Sequence, residues 1–86
     1  MGEIERLRRR IDDVDDQILS ALCERVKTCK AIGAAKRAQG LTVRDVSREN
    51  EVYKRIREKA AEFGLDASQV EAVYREIVNM CSAVQE

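Results

Sequence analysis

An unbroken amphipathic stretch from about Glu3 to Ala38 most constrains how this chain folds. Its apolar residues recur at steps of three and four, apart from one gap of seven, as on one face of a helix. They are Ile4, Leu7, Ile11, Val14, Ile18, Leu22, Cys29 and Ile32. Proline is absent, Gly40 offers a left-handed stop, and Gly33, inside the stretch, suggests close packing. The pattern predicts one helix about 50 Å long at ~1.5 Å per residue.

Two shorter helices are predicted to follow the long one. The second helix should begin near Asp45, which is suited to an N-cap, and end before Gly64. The third should begin at Asp66, where the segment Asp-Ala-Ser-Gln resembles a capping box, and run nearly to the end of the chain. Each would be only about 30 Å long at the same rise. Their apolar stripes are Val52, Tyr53, Ile56, Ala60 and Phe63, then Val70, Val73, Tyr74, Ile77, Cys81 and Val84.

The unequal helix lengths predict an all-α fold that needs a second copy of the chain. Two short partners cannot cover the whole apolar stripe of a helix nearly twice their length. A single domain of 86 residues is also marginal in stability without oligomerisation or other support. We therefore expect an intertwined homodimer in which the two long helices pair.

Charge and residue usage exclude several classes of protein. With 16 basic and 16 acidic residues the net charge is zero, which argues against general binding to nucleic acid or anionic membranes. Histidine is absent, and the three cysteines form no CxxC pair, so we expect no metal site and no cofactor. No apolar run approaches ~18 residues, and the first residues lack the apolar core of a signal peptide. These features favour a cytoplasmic protein with reduced thiols.

Charged and polar residues interrupt the apolar stripes where core residues belong. They are Arg8, Arg25, Lys36, Glu49 and Gln85. Such side chains are rarely buried without partners. Each could lie along the core and reach solvent with its charged end, and Glu49 could form a structural ion pair with Arg25 or Lys36. Three cations nevertheless accompany only one acid, so the remaining counter-charge is expected to come from an anionic ligand. The simplest such ligand is a dicarboxylate held by the forked side chains of arginines.

Several short segments, taken at their mutual spacing, carry a family resemblance. They are Leu-Arg-Arg-Arg-Ile-Asp-Asp-Val-Asp at 7–15, Glu-Arg-Val at 24–26, Ala-Ala-Lys at 34–36, Val-Arg-Asp-Val-Ser-Arg-Glu at 43–49, and Cys81 with Gln85. Over essentially the whole chain, the sequence resembles the all-helical (AroQ-class) chorismate mutases. The resemblance implies that residues 1–86 form a single chorismate mutase domain, that it is a homodimer, and that it binds the dicarboxylate chorismate.

The resemblance also implies four catalytic residues. Arg25 and Lys36 would grip the substrate carboxylates. Lys36 and Gln85 would donate hydrogen bonds to the ether oxygen of the breaking bond. Glu49 would hold the hydroxyl group on the substrate ring.

Four further residues would bind the substrate. Arg8 would reach into the site from the other subunit, and the backbone amide of Asp45 would help to hold the ring hydroxyl. Arg48 would join the network of carboxylates and acids. Cys81 stands where some relatives have a serine that contacts the substrate.

The implied reaction suits this composition. Chorismate becomes prephenate by a Claisen rearrangement, which requires neither proton transfer nor a nucleophile. This reaction is a step in the shikimate route to aromatic amino acids. An isochorismate pyruvate lyase on the same scaffold is an alternative, although the segment 43–49 looks more like the mutases. A non-catalytic helical dimerisation or protein-binding module is another. That module explains the stripes but not the charges that interrupt them.

Overall fold

Three α-helices account for the fold of residues 2–85, the part of the chain that this computed structural model describes. Helix α1 comprises Glu3–Ala38, α2 comprises Val46–Glu62 and α3 comprises Ala67–Gln85. No strand occurs among these residues. The predicted all-α class and the three helices are therefore confirmed, and each predicted boundary agrees to within a residue or two.

Helix α1 sets the longest dimension of the molecule. Its 36 residues give a length of about 54 Å at ~1.5 Å per residue. The longest extent of the whole chain is 58 Å. Helices α2 and α3, with 17 and 19 residues, are about half as long. Helix α3 packs against both of the others. None of the helices in residues 2–85 has the length and apolar character needed to span a membrane.

Glycines end the first two helices through the same hydrogen-bonded motif. Gly40 and Gly64 have φ angles of 69° and 73°, a conformation that costs other residues free energy. After Gly40, the Leu41 N–H donates to the Lys36 carbonyl at 2.8 Å. After Gly64, the Leu65 N–H donates to the Ala60 carbonyl at 2.9 Å. These are Schellman closures, and the first one fixes the backbone of Lys36 where the chain leaves α1.

Aspartates begin the second and third helices. The Asp45 carboxylate accepts a hydrogen bond from the Arg48 N–H at 3.0 Å. The Asp66 carboxylate accepts from the Gln69 N–H at 2.9 Å and from the Ser68 hydroxyl at 2.7 Å. Both satisfy backbone donors that a helix start would otherwise leave unpaired. Both predicted N-terminal positions are confirmed.

The hydrophobic core lies mainly between α2 and α3. Its buried members are Val52, Tyr53, Ile56, Ala60, Val78 and Cys81. Two residues of the predicted α2 and α3 stripes are exposed instead, Phe63 at 76% and Val73 at 59%. Phe63 follows the last residue of α2, where the chain already turns away. Val73 points about 100° away from Tyr74, which packs on the core, because successive helical residues differ by that angle.

Candidate active site

A cleft of about 170 Å³ is lined by residues of all three helices. Its walls come from the C-terminal half of α1, the segment that leads into α2 with the first turns of that helix, and the end of α3. All but one of the predicted site residues line it. They are Arg25, Lys36, Asp45, Arg48, Glu49, Cys81 and Gln85. Residues that are far apart in sequence therefore share one small space.

Arg25 lies half-buried against two thiols. Its terminal nitrogen Nη1 is 2.7 Å from Cys81 Sγ and 3.8 Å from Cys29 Sγ. Sulfur is a weak acceptor, so these contacts engage the guanidinium only loosely. Burial raises the pKa of the Cys81 thiol, and the positive charge of Arg25 opposes that rise. Among residues 2–85, Arg25 is therefore a cation positioned at the cleft without a carboxylate partner.

Lys36 ties the end of α1 to the segment before α2. Its Nζ donates a hydrogen bond to the Val43 carbonyl at 2.9 Å, and its own carbonyl closes the helix end through Leu41. An ammonium group has three donors, so two remain to point into the cleft. The same interaction that positions the amine also shapes the wall beside it.

The first turn of α2 supplies a carboxylate, and the segment before the helix supplies its partner. Glu49 Oε2 accepts from Arg44 Nε at 3.2 Å, and the Glu49 side chain is only 18% exposed. The sequence suggested that Glu49 could pair with Arg25 or Lys36, but its partner in the structure is Arg44. Sequence reasoning missed Arg44 because it lies outside the helical stripes; its place just before the N-cap Asp45 was the available signal. Arg48 lines the cleft while its guanidinium pairs with Glu51 at 3.3 Å.

The end of α3 is held close to α1 at Gly33. A Cβ at this glycine would lie 2.9 Å from the Cα of Gln85, closer than packed atoms approach. The predicted close packing at Gly33 is confirmed. Arg37 also donates a hydrogen bond to the Gln85 carbonyl. The backbone of Gln85 is therefore fixed beside the cleft by two residues of α1.

Arg8 is the predicted site residue that the single chain leaves outside the cleft. It is exposed on the N-terminal half of α1, seventeen residues before Arg25. That spacing corresponds to about 25 Å along the helix axis. Ser82, in contrast, lines the cleft and was missed by the sequence analysis. Its position beside Cys81 was the only sequence signal.

The cleft carries an excess of two positive charges. Four cationic side chains line it together with two carboxylates: Arg25, Lys36, Arg44 and Arg48 with Asp45 and Glu49. Apolar walls come from Ile32, Val43, Val52 and Val78. Such a site suits a small dianion with a hydrocarbon body, because cations without full pairing need counter-charge when water is removed.

A family comparison agrees with this chemistry. The family described as chorismate mutase type II matches residues 7–86. The chain belongs to the type II chorismate mutase family. The match covers the cleft and nearly all of the three helices, so the resemblance predicted from the short segments is confirmed.

Individual relatives of this chorismate mutase family member are similar over almost all of the chain. A bifunctional chorismate mutase/prephenate dehydratase of Aquifex aeolicus is 34% identical over 99% of the chain, which spans 24% of that relative's length. A chorismate mutase of Methanocaldococcus jannaschii is 26% identical over 96% of the chain and 84% of its own length. A solved structure, a conserved hypothetical protein from Pyrococcus furiosus, has a TM-score of 0.73 at 28% identity, covering 99% of this chain and 100% of that one.

Proposed function

We propose that this chain catalyses the rearrangement of chorismate to prephenate, as a single mutase domain spanning residues 1–86. The reaction would supply a precursor of aromatic amino acids. The observation that carries the proposal is the cleft, whose excess of two positive charges matches the two carboxylates of chorismate. Membership of the type II chorismate mutase family supports the same substrate.

The first task of the site is to hold a flexible dianion in its compact reactive conformation. Arg25 and Lys36 bind the carboxylates, and Arg25 exchanges its weak sulfur contacts for charge-assisted hydrogen bonds to oxygen. Both side chains project from one long helix, so their separation is preset. Fixing a reactive conformation in this way lowers the entropic part of the barrier.

The second task is to stabilise negative charge that develops on the ether oxygen as the C–O bond breaks. Lys36 and Gln85 donate hydrogen bonds to that oxygen. Lys36 has two N–H donors beyond its bond to Val43, and Gln85 is positioned by Gly33 and Arg37. Donors that are oriented before the reaction stabilise the transition state without reorganisation.

The ring hydroxyl is held at the start of α2. The Glu49 carboxylate accepts a hydrogen bond from this hydroxyl group. The backbone amide of Asp45 and the side chain of Arg48 complete this end of the site. Arg44, which also lines the cleft, orients the Glu49 carboxylate. On the opposite wall, Cys81 offers a thiol in place of the serine of some relatives, which is a weaker donor.

The active form is a homodimer in which Arg8 of each chain completes the site of the other. Two features support this assembly. The apolar stripe is exposed along the N-terminal half of α1, and Ile4, Ile11 and Ile18 are each more than half exposed. The cleft of one chain, at about 170 Å³, is also smaller than the ~300 Å³ at which small-molecule sites usually begin, and a partner would extend its walls.

The decisive experiment measures the loss of chorismate absorbance with purified protein and identifies prephenate by its acid conversion to phenylpyruvate. Lys36→Ala and Arg25→Ala should each lower kcat/KM by roughly 10²–10³-fold, by analogy with removal of one preorganised donor. Lys54→Ala, which removes an exposed lysine of α2, is the matched control and should retain full turnover. Circular dichroism checks that all variants remain helical.

Either result is informative. Near-normal turnover by a folded Lys36→Ala or Arg25→Ala protein would contradict the assigned site. A folded wild-type protein without turnover would contradict the mutase, and isochorismate would then be tested as substrate for the lyase. Because the Gln85 amide does not titrate, its contact with the ether oxygen does not itself require acidic pH, and turnover should not fall steeply between about pH 5 and 8.

A further inference from the structure

Two cysteines from different helices lie side by side at the floor of the cleft. Cys29 of α1 and Cys81 of α3 both contact the same nitrogen of Arg25, at 3.8 Å and 2.7 Å. Because both sulfurs lie within 3.8 Å of one nitrogen atom, the two thiols are neighbours in the cleft. Both are free thiols and both line the cleft. The proposed mechanism uses Cys81 only as a weak contact and does not use Cys29 at all.

The backbones of the two helices approach each other closely one turn beyond the cysteines. Gly33 and Gln85 lie four residues after Cys29 and Cys81, on the same faces, and a Cβ at Gly33 would be 2.9 Å from the Gln85 Cα. Packed helices normally keep their axes about 8–10 Å apart. A disulfide needs Cα atoms separated by only about 4.4–6.8 Å. The unusually close approach one turn away brings the cysteine pair toward that range.

We propose that Cys29 and Cys81 form an intramolecular disulfide on reaction with a hydroperoxide, and that this cross-link closes the cleft to its ligand. The modification itself is independent of the catalytic activity, whereas its effect on turnover rests on the proposed function. The site requires a small oxidant that can enter the same cleft as the substrate.

The chemistry balances in two steps. The Cys29 thiol gives up its proton, and the resulting thiolate attacks the hydroperoxide. The O–O bond breaks, the leaving oxygen takes up that proton, and a sulfenic acid and an alcohol (or water, from hydrogen peroxide) are formed. The Cys81 sulfur then attacks the sulfenic sulfur, the S–O bond breaks, and the disulfide and water are formed. Cys81 is buried, and burial raises its pKa, whereas Cys29 is partly exposed. The hydroperoxide therefore reaches Cys29 first, and Cys81 acts as the resolving thiol.

Cross-linking changes the setting of Arg25. Its guanidinium rests on the two free thiols, and drawing these sulfurs into one bond moves both of them beneath it. A displacement of a substrate-anchoring group by about 1 Å can lower turnover about 10²-fold. Oxidation should therefore reduce turnover by about that factor, and reduction by a dithiol should restore it.

The test of the modification is mass spectrometry of the full chain treated with hydrogen peroxide under native conditions. The expected product has lost two hydrogen atoms, and a digest contains a peptide that joins Cys29 to Cys81. Cys29→Ser and Cys81→Ser should not form it. Cys23→Ser is the matched control, because Cys23 is exposed on α1, and it should form the cross-link normally. Disulfides through Cys23, a cross-link between chains, or sulfinic acid at Cys81 would overturn the proposal.

The test of closure compares turnover of each protein before and after peroxide. Wild type and Cys23→Ser should lose turnover about 10²-fold and regain it with dithiothreitol. Cys29→Ser should keep whatever turnover it has before treatment. If the mapped disulfide forms and turnover is unchanged, closure is refuted. If the untreated protein has no turnover, the proposed function fails, and the mass-spectrometric result still decides whether the cysteine pair is a modification site.

Discussion

The two halves of α1 carry the same apolar periodicity but lie in different surroundings. In the N-terminal half, Ile4, Ile11 and Ile18 are 65%, 59% and 57% exposed. In the C-terminal half, α3 covers the helix so closely that Gly33 is buried against it. A stripe of apolar residues therefore specifies which face of a helix avoids water, but it does not specify what covers that face.

The charged residues on the stripe differ in the same way. In the covered half, Arg25 and Lys36 have defined contacts with thiols and with a backbone carbonyl. In the exposed half, Arg8 lies at the edge of an uncovered apolar surface. The two kinds of residue are complementary under the homodimer proposal, because the exposed half of one chain would complete the cleft formed by the covered half of the other.

The largest expected effect comes from placing a charge on the exposed half. Ile11→Asp should raise the dimer dissociation constant, since each buried isoleucine contributes about 1.5–3 kcal/mol and a symmetric dimer loses two. Turnover should fall with dissociation. Arg9→Asp, on the opposite face of α1, is the control and should remain dimeric. The oligomeric state of each protein is measured by light scattering at micromolar concentration. If the wild-type protein is monomeric at that concentration, the proposal that a second chain covers the exposed half of α1 is contradicted.

The next effect tests whether the exposed half completes a neighbouring site. Arg8→Ala and Arg25→Ala should each lower turnover by roughly 10²–10³-fold. Mixing the two variants after unfolding and refolding should restore about a quarter of wild-type turnover, because half of the dimers are mixed and each mixed dimer has one intact site of two.

Failure of the mixture to regain activity, with mixed dimers detected by native mass spectrometry, would place Arg8 outside the partner's site. Recovery would also exclude a structure in which each chain completes its own cleft.

A smaller effect concerns the covered half. In Gly33→Ala the added Cβ meets the backbone of Gln85, which cannot swing aside as a side chain could. Overpacking costs about 1–3 kcal/mol, partly offset by ~1 kcal/mol from the better helix propensity of alanine. We expect a modest loss of stability in urea unfolding and a several-fold loss of turnover as Gln85 shifts.

Ala31→Gly is the matched control for that variant, since Ala31 is exposed on the same helix. It should lose ~1 kcal/mol of stability through propensity while keeping its turnover. Equal turnover in Gly33→Ala and wild type would mean that the close approach does not position Gln85.

The smallest effect concerns the start of α3, the helix that covers one half of α1 only. Hydrogen bonds from the Ser68 hydroxyl and the Gln69 N–H hold the pKa of Asp66 below its ordinary value of 3.8. The stability contributed by its charge is therefore present in full above pH 3.8 and is lost as the pH falls through the lowered pKa. Asp66→Asn retains a capping side chain that does not titrate.

Wild type should thus be slightly more stable than Asp66→Asn near neutral pH, and the difference should shrink in acid, as measured by thermal unfolding between about pH 2 and 7. A difference that grows as the pH is lowered would contradict the cap assignment. Turnover near neutral pH should be the same in both proteins, because Asp66 lies outside the cleft.

Much of this molecule was predictable because it depends on near neighbours in the chain. The bounds of the helices follow from Asp45 and Asp66 at their starts and from Gly40 and Gly64 beyond their ends. The interrupted stripes also identified most of the cleft, since a helix has a fixed angular repeat and a charge within a stripe lies on the same face as its apolar neighbours. The residues missed, Arg44 and Ser82, lie outside those stripes.

Contacts between helices depended on the tertiary structure. The rotation and offset of α3 against the other two helices decide that Val78 is buried and Val73 exposed, and that Cys29 and Cys81 contact the same arginine. The sequence by itself determined three helices, their ends and the side chains on each face, because helix formation involves residues three or four apart. Which faces meet was decided only by packing, through close approaches such as that of Gly33 and Gln85, between residues far apart in the chain.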